Sequence, residues 1–373
     1  MIPKDLRQFH LNKILFKIFD NKKFFFTIII LICILIFIYT SSIYYIEDEF
    51  YINQWALKSE NSIDINYEKA IKLYNSLHNK SNVIVAILDT GVDINHFELS
   101  SNIYENKNEI PNDNIDNDLN GFIDDYNGWN FVDNNNQIFV DTKDDEHGTH
   151  SAGTIIGKCN NGGIKGICDN EHIKLLPIKI LGKDMLGKTQ NLISAIDYAI
   201  KSGASIINIS LGTPTFSSNL EEIIRRNQDI LFVIASGNTK SGLDIDKNKI
   251  YPASFEFENV ITVGNMNKDG TKYETSNYGK NTLNIFAPGV SIISTIPNNQ
   301  FAYLTGSSMA TAFVSGTSAL IKSANKLLSP KEIKYYIENY SKKINSLIEY
   351  SSSGGCLDSY SSLKEAIKGG TND

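Results

Sequence analysis

From Val83 onward the chain alternates short apolar runs with amphipathic helical stretches, and few architectures accept that alternation. The runs Val83–Leu88, Ile173–Ile180, Ala204–Ser210, Ile230–Ala235 and Val260–Val263 are nearly continuous in apolar residues. Strands covered on both faces must be of this kind. Helical patterns lie between them; in Gln190–Lys201, Leu192, Ala195, Ile196 and Ala199 share one side. The reading is an α/β fold in three layers, with a mostly parallel central sheet between helices on both faces. Functional groups of such sheets gather beyond the carboxyl ends of the strands. Residues 101–137, rich in Asn and Asp, interrupt the rhythm, and no internal repeat is found.

The amino-terminal part reads differently. Phe24 to Ile46 is a stretch of 23 residues without a charge. As a helix at about 1.5 Å per residue it would span a hydrocarbon core of roughly 30 Å. Residues 1–23 carry six basic and two acidic side chains, 6 − 2 = +4, whereas the whole chain has a net charge of −7, leaving −11 for the rest. Glu47, Asp48 and Glu49 follow the apolar stretch, and Tyr39, Tyr44 and Tyr45 lie near its far end. By the positive-inside bias, residues 24–46 are expected to be one transmembrane anchor, with the amino terminus cytoplasmic and the remainder outside the cell membrane. The competing reading is a cleaved signal peptide, which would end in a small-residue site; no Ala occurs before Ala56. The expected organisation is a basic tail (1–23), an anchor (24–46), a juxtamembrane stalk with a first helix (47–81), the main α/β domain (82–366) and a short tail (367–373). In the stalk region Tyr67, Ala70, Ile71 and Tyr74 are spaced for one helical face. The acidic balance argues against a nucleic-acid partner, and a monomer is expected. A Cys159–Cys168 disulfide and two free thiols both remain open readings.

Three short stretches carry the chemistry. Asp89 ends an apolar run and is followed by Gly91; His147-Gly148-Thr149-His150 opens the apolar stretch Ala152–Ile156; Gly306-Ser307-Ser308 opens the helical pattern Met309–Leu320. A serine hydroxyl becomes a useful nucleophile when an imidazole takes its proton and a carboxylate holds that imidazole in one tautomer. Each piece alone also has a plain reading. The Asp would be a turn residue and the Ser a helix cap, while the two His would be half of a zinc site with no third ligand at suitable spacing.

Together, Asp89-Thr90-Gly91-Val92-Asp93, His147-Gly148-Thr149-His150 and Gly306-Ser307-Ser308-Met309-Ala310 resemble the three signature blocks of the subtilases, the subtilisin-like serine proteases of peptidase family S8. The resemblance runs from about Asn82 to Leu363. It takes in Ile207–Gly212, Ala235-Ser236-Gly237-Asn238, Tyr251-Pro252-Ala253 and Phe286-Ala287-Pro288-Gly289. It implies a subtilisin-like fold and a serine endopeptidase acting on extended polypeptide. Ser308 would be the nucleophile, His147 the base, Asp89 its orienting carboxylate and Asn238 an oxyanion donor. It also implies that Ser210-Leu211-Gly212 and the stretch Lys183–Gly187, ending at Gly187, pair with substrate main chain as added strands. Ala312 and Phe313 replace a usual Pro-His, and Ser307 a usual threonine. The 35 residues of 47–81 are too few for the folding propeptide that many relatives carry. The alternative from another class is a pseudoprotease that binds peptides without cutting them.

The Asp/Asn-rich interruption contains Asp116-Asn117-Asp118-Leu119-Asn120-Gly121-Phe122-Ile123-Asp124-Asp125, with oxygen ligands at alternate positions and glycine at the sixth. That spacing matches the first part of a calcium loop, with Asp116, Asp118, Asn120, the Phe122 carbonyl and Asp124 as ligands. The twelfth position is Asn127 instead of glutamate, which sets it apart from an EF-hand. Acidic inserts of other subtilases bind calcium, and a structural Ca2+ is the expected cofactor. A solvated acidic loop is the competing reading.

Overall fold

The computed structural model describes residues 26–34, 47–59 and 63–369. The chain divides into two compact units, residues 1–47 and 48–373. In the first, residues 26–34 are helical. The rest of the apolar segment 24–46, and the basic tail, lie outside the described residues. Among the described residues no helix is long and apolar enough to cross a membrane.

The second unit begins with α1 (Tyr67–Asn75) and β1 (Val83–Asp89), then β2 (Trp129–Asn130), α2 (Glu146–Ile156) and β3 (Ile173–Lys179). Next come α3 (Thr189–Lys201), β4 (Ile206–Ile209), α4 (Ser218–Arg226), β5 (Leu231–Ala235), β6 (Val260–Met266) and β7 (Ile285–Pro288). A hairpin of β8 (Ile292–Ile296) and β9 (Gln300–Leu304) leads into the long α5 (Ser307–Ala324). The chain closes with α6 (Pro330–Asn339), β10 (Lys342–Lys343), β11 (Gly355–Cys356) and α7 (Ser359–Gly369). The main sheet has the order β10-β11-β7-β6-β5-β4-β1-β3-β2, parallel except for the β10–β11 edge pair.

Pleating sorts each strand between two cores. Val85 and Ile87 of β1 face α1, α2 and α5, packing with Tyr74, Ile155 and Val314. Ala86 and Leu88 face the other way, toward Leu192 and Ile196 of α3 and Leu220 of α4. A strand with apolar residues at successive positions is therefore what a central strand of a three-layer fold requires. The hairpin lies directly on α2. Thr295 Oγ1 donates to the Thr149 carbonyl at 2.7 Å and Ser294 Oγ to the His150 carbonyl at 2.8 Å. A Cβ at Gly153 would stand 2.2 Å from Thr295 Oγ1, so only glycine lets the hairpin approach.

Two expected boundaries move. The described residues 48–59 and 63–81, which include the expected first helix as α1, pack onto the domain and do not form a free stalk. Asp48 is buried and its carboxylate accepts the backbone N–H groups of Asn160 (2.8 Å), Asn161 (3.0 Å) and Gly162 (3.2 Å). Ala56, Leu57, Ile65, Tyr67 and Tyr74 join the core around α2 and α5. Their polar sequence texture comes from the outward face of α1, whose inner face is Tyr67, Ala70 and Tyr74. At the other end α7 continues to Gly369, past the expected boundary at residue 366, because Leu363 and Ala366 are buried against the same core.

Candidate active site

Three elements bring the chemical residues to one end of the sheet. Asp89 is the last residue of β1 and is fully buried. His147 is the second residue of α2, and Ser308 the second residue of α5. Helices α2 and α5 pack against each other on the same sheet face, and each carries its chemical residue in its first turn. Gly148 makes the approach possible: a Cβ there would lie 2.2 Å from the Gly91 carbonyl oxygen and 3.2 Å from Asp89 Cβ. Its N–H donates to Thr90 Oγ1 at 3.1 Å.

His147 Nδ1 lies 2.7 Å from Asp89 Oδ1. The same carboxylate oxygen accepts the Thr90 N–H at 2.7 Å. Burial pulls the His147 pKa down, but the negative charge of Asp89 and its hydrogen bond outweigh that, and Glu146 adds to them; the net shift is upward from 6.5. With Nδ1 held by the carboxylate, Nε2 is the nitrogen left for chemistry.

His150 takes no part in a metal site. It is buried, and its Nε2 donates to the Ile292 carbonyl at 2.8 Å. Burial lowers its pKa to about 4, so the ring is neutral. Among the described residues, Glu109, Asp118 and Asp125 are the one group of three or more His, Cys, Asp or Glu side chains placed to hold an ion, and neither His belongs to it. The zinc reading of the His pair is thereby overturned: the second His anchors α2 to the hairpin.

At the start of α5, Asn238 Oδ1 accepts the Ser307 N–H at 3.1 Å, and Ser307 Oγ accepts the Gly237 N–H at 3.1 Å. The Asn238 side chain is thus oriented through its oxygen. Its Nδ2 stays at the helix entrance, where a Cβ at Gly306 would lie 3.2 Å from it. Ser308 is 6 % exposed and sits in the first helical turn, whose N–H groups lack partners within the helix.

Leu211, Gly212 and Gly187 meet at a cavity of about 230 Å³, lined also by Ile180, Leu181, Leu186, Leu192 and Leu220. Gly187 bridges Leu181, and the Leu186 carbonyl accepts the Gly182 N–H at 2.9 Å, so the segment 181–187 forms a small ordered loop at the rim. Ser210 is not in the lining. Its hydroxyl accepts from Asn208 Nδ2 at 3.1 Å and is buried, which leaves its main chain for any outside contact. The sequence reading missed the leucines of this cavity because Leu192 and Leu220 look like ordinary core positions of α3 and α4.

The expected cation ligands do not converge as written. Of the three expected carboxylates, Asp118 alone belongs to a cluster, and its partners are Glu109 and Asp125, with one oxygen of each within 4.8 Å of the others. Asp116 instead accepts the N–H groups of Asn120 (3.0 Å) and Gly121 (2.8 Å), and Asp124 accepts those of Asp113 (3.1 Å) and Asn114 (3.0 Å). Asn120 turns its amide to Asp118 and Asp125. Phe122 packs its ring on Trp129 and Tyr198. Glu109 was missed because it lies seven residues before the loop and joins it only through the fold. Burial raises the Asp125 pKa against hydrogen bonds from Tyr198, Asn106 and Asn120. Cys159 and Cys168 are free thiols; Cys168 Sγ contacts the Gly316 carbonyl at 3.1 Å.

The sequence model of the subtilase family, Peptidase_S8, matches residues 80–356. The chain belongs to the subtilase family. It is 37% identical over 245 residues to the major intracellular serine protease of Bacillus subtilis (strain 168), covering 65% of this chain and 69% of that relative. It is 33% identical over 304 residues to subtilisin-like protease 1 of Plasmodium berghei (strain Anka), covering 76% of this chain but 50% of that protein, so it spans half the length of this relative. Among solved structures, a protease from Pseudoalteromonas arctica PAMC 21717 superposes with a TM-score of 0.65 at 24% identity, over 86% of this chain and 99% of that one. That likeness shows the subtilisin-like α/β fold.

Proposed function

We propose that this subtilase is a serine endopeptidase that hydrolyses extended polypeptides through Asp89, His147 and Ser308. The observation that carries the reading is the 2.7 Å contact between His147 Nδ1 and the buried Asp89 carboxylate, at the start of a helix that packs beside the one bearing Ser308. His147 Nε2 takes the Ser308 hydroxyl proton as Oγ attacks the scissile carbonyl. Asn238 Nδ2 and the Ser308 N–H donate to the oxyanion that forms. His147 then gives its proton to the leaving amine, and the acyl-enzyme is cleared by water that His147 deprotonates in turn. Asp89 holds the tautomer throughout and stabilises the imidazolium. An extended substrate would lie between the main chains of Ser210–Gly212 and Gly187. The leucine-lined cavity between them suits an aliphatic or aromatic substrate side chain. A fluorophosphonate probe should label the full chain and fail on Ser308→Ala; a folded wild type that resists labelling would leave the peptide-binding pseudoprotease instead.

Calcium fits the Glu109–Asp118–Asp125 group in donor chemistry, since all three are hard oxygen ligands. The ion would neutralise like charges that otherwise repel and so stabilise the segment 106–125. For residues 24–46 we infer a membrane anchor that leaves the catalytic unit outside the cytoplasmic membrane. The support is the uncharged length and the +4 preceding charge. Retention in the membrane fraction after a carbonate wash is the expected result; recovery in solution with a new amino terminus near residues 40–56 would establish a cleaved signal.

A further inference from the structure

Behind the proposed Asp89–His147 pair lies a second pair of charges that the proposed mechanism does not use. Lys179, the last residue of β3, stands in register with Asp89 at the end of β1. Its side chain is 4 % exposed and that of Asp145 is fully buried, and the two form an ion pair. The same ammonium donates to the Thr90 carbonyl, in the turn that leaves Asp89. Asp145 immediately precedes α2, two residues before His147. Its other carboxylate oxygen accepts the Val140 and Asp141 N–H groups at 2.6 and 3.0 Å. Its carbonyl accepts from Thr149 Oγ1 at 2.8 Å. The fit around the pair is close: a Cβ at Gly91 would stand 2.7 Å from Asp145 Oδ1.

A buried ion pair is a weak source of stability, because desolvating both charges offsets their attraction. What this one does have is reach. It ties the strand beside Asp89, the turn after Asp89 and the residue before the His147 helix to one point. We propose that Asp145 and Lys179 are positioning residues, a buried neutral clamp that holds the Asp89 carboxylate and the His147 imidazole in reacting geometry. The proposal rests on the reading of His147 as the base.

Neutrality matters as much as placement. The titratable and charged groups around His147 are Asp89, Glu146 and His150, with Asp145, Lys179 and Asp141 behind them. While both members of the clamp are present it is neutral as a whole. Remove one and the other remains as a buried charge behind the Asp89–His147 pair.

The test is the pH profile of kcat/KM for peptide cleavage, and of fluorophosphonate labelling, in the full chain carrying D145N, K179M or both. D145N leaves the ammonium alone and should move the acid limb down by on the order of one pH unit. K179M leaves the carboxylate alone and should move it up by a similar amount. The double variant should return the limb to within about 0.3 unit of wild type while kcat stays at least about tenfold low with little change in KM. Shifts of the same sign, or single-variant profiles that superimpose on wild type with only a lowered melting temperature, would overturn the clamp. If one single variant does not fold, the remaining single and the neutral double still give the comparison. Ser308→Ala serves as the control: activity that survives it removes the triad reading, whereas its loss with unshifted limbs removes only the clamp.

Discussion

Glu98 offers the sharpest quantitative test of the packing around α2. Its side chain is fully buried; Oε1 accepts the Ile164 N–H at 3.1 Å, while Oε2 and the neighbouring Asn161 Oδ1 are both buried acceptors without a partner. Burial raises the carboxyl pKa from 4.5 to about 8, with the nearby Asp48 charge adding to it against the Ile164 bond. At neutral pH the group is then a carboxylic acid, which avoids leaving an ionised Oε2 buried without a hydrogen-bond partner. Since the folded state binds this proton more tightly than the unfolded one, its contribution to stability is fully present below pH 4.5. It declines as pH rises and is gone above about pH 8. At about 1.4 kcal/mol per unit, the 3.5-unit difference (8 − 4.5) amounts to on the order of 5 kcal/mol. Glu98→Gln keeps the shape, keeps an acceptor for Ile164, and supplies a permanent donor. The assay is urea unfolding of the full chain in a Ser308→Ala background, with chelator present. Stability should fall between pH 5 and 8.5 when Glu98 is intact and follow a flatter curve in the Glu98→Gln variant. Other titrating groups cancel in the difference. Equal slopes in the two proteins would refute the argument. So would a slope abolished by added calcium, which would put a cation, not a proton, on the Glu98 carboxylate.

Removing the nucleophile with Ser308→Ala should lower kcat by on the order of 10⁶-fold in a peptide assay while the protein still binds substrate. Asn238→Ala should cost about 10²–10³ in kcat with KM nearly unchanged, since its amide meets charge that develops only in the transition state. Because Asp89 holds the His147 pKa above 6.5, wild-type activity should rise with pH through a limb above that value. Asp89→Asn should drop turnover by about 10⁴ by releasing the tautomer. Calcium chelation should lower the melting temperature of the wild type, and Asp118→Asn with Asp125→Asn should remove that sensitivity. An Asp116→Asn variant that alone removes it would return the ion to the linear loop.

The parallel sheet was legible because its strands are covered on both faces, which forces apolar residues at consecutive positions. Val85 and Ile87 serve one core and Ala86 and Leu88 the other, and neither set can be polar. The same logic fails for residues 48–59, which enter the domain without a strand or a long helix. They are held by Asp48 receiving three backbone N–H groups and by Ala56 and Leu57 filling the core beside α1. Acidic residues just after an apolar segment look solvent-exposed in any local window, and Glu47 and Glu49 are. The burial of Asp48 depends on a loop more than a hundred residues away.

The candidate site divides along the same line. Asp89, His147 and Ser308 are visible in the sequence because each sits at a strand end or helix start, where local pattern and chemistry coincide. Asp145 and Lys179 show no such signal. One looks like another acid in an acidic stretch, the other like the polar end of a strand, and 33 residues separate them (179 − 145 − 1). Only parallel pairing of β1 with β3 sets Lys179 beside Asp89, and only the return of the chain into α2 sets Asp145 above it. The acidic insert shows the same effect from the other side. Regular spacing pointed to Asp116, Asn120 and Asp124, yet the backbone N–H groups of the loop claim Asp116 and Asp124, and the long-range fold delivers Glu109 and Asp125 to Asp118. Residues that do chemistry are read from local sequence when an element terminus presents them. Residues that hold those in place are chosen by contacts across the sheet, and they come to light only once the strand order is known.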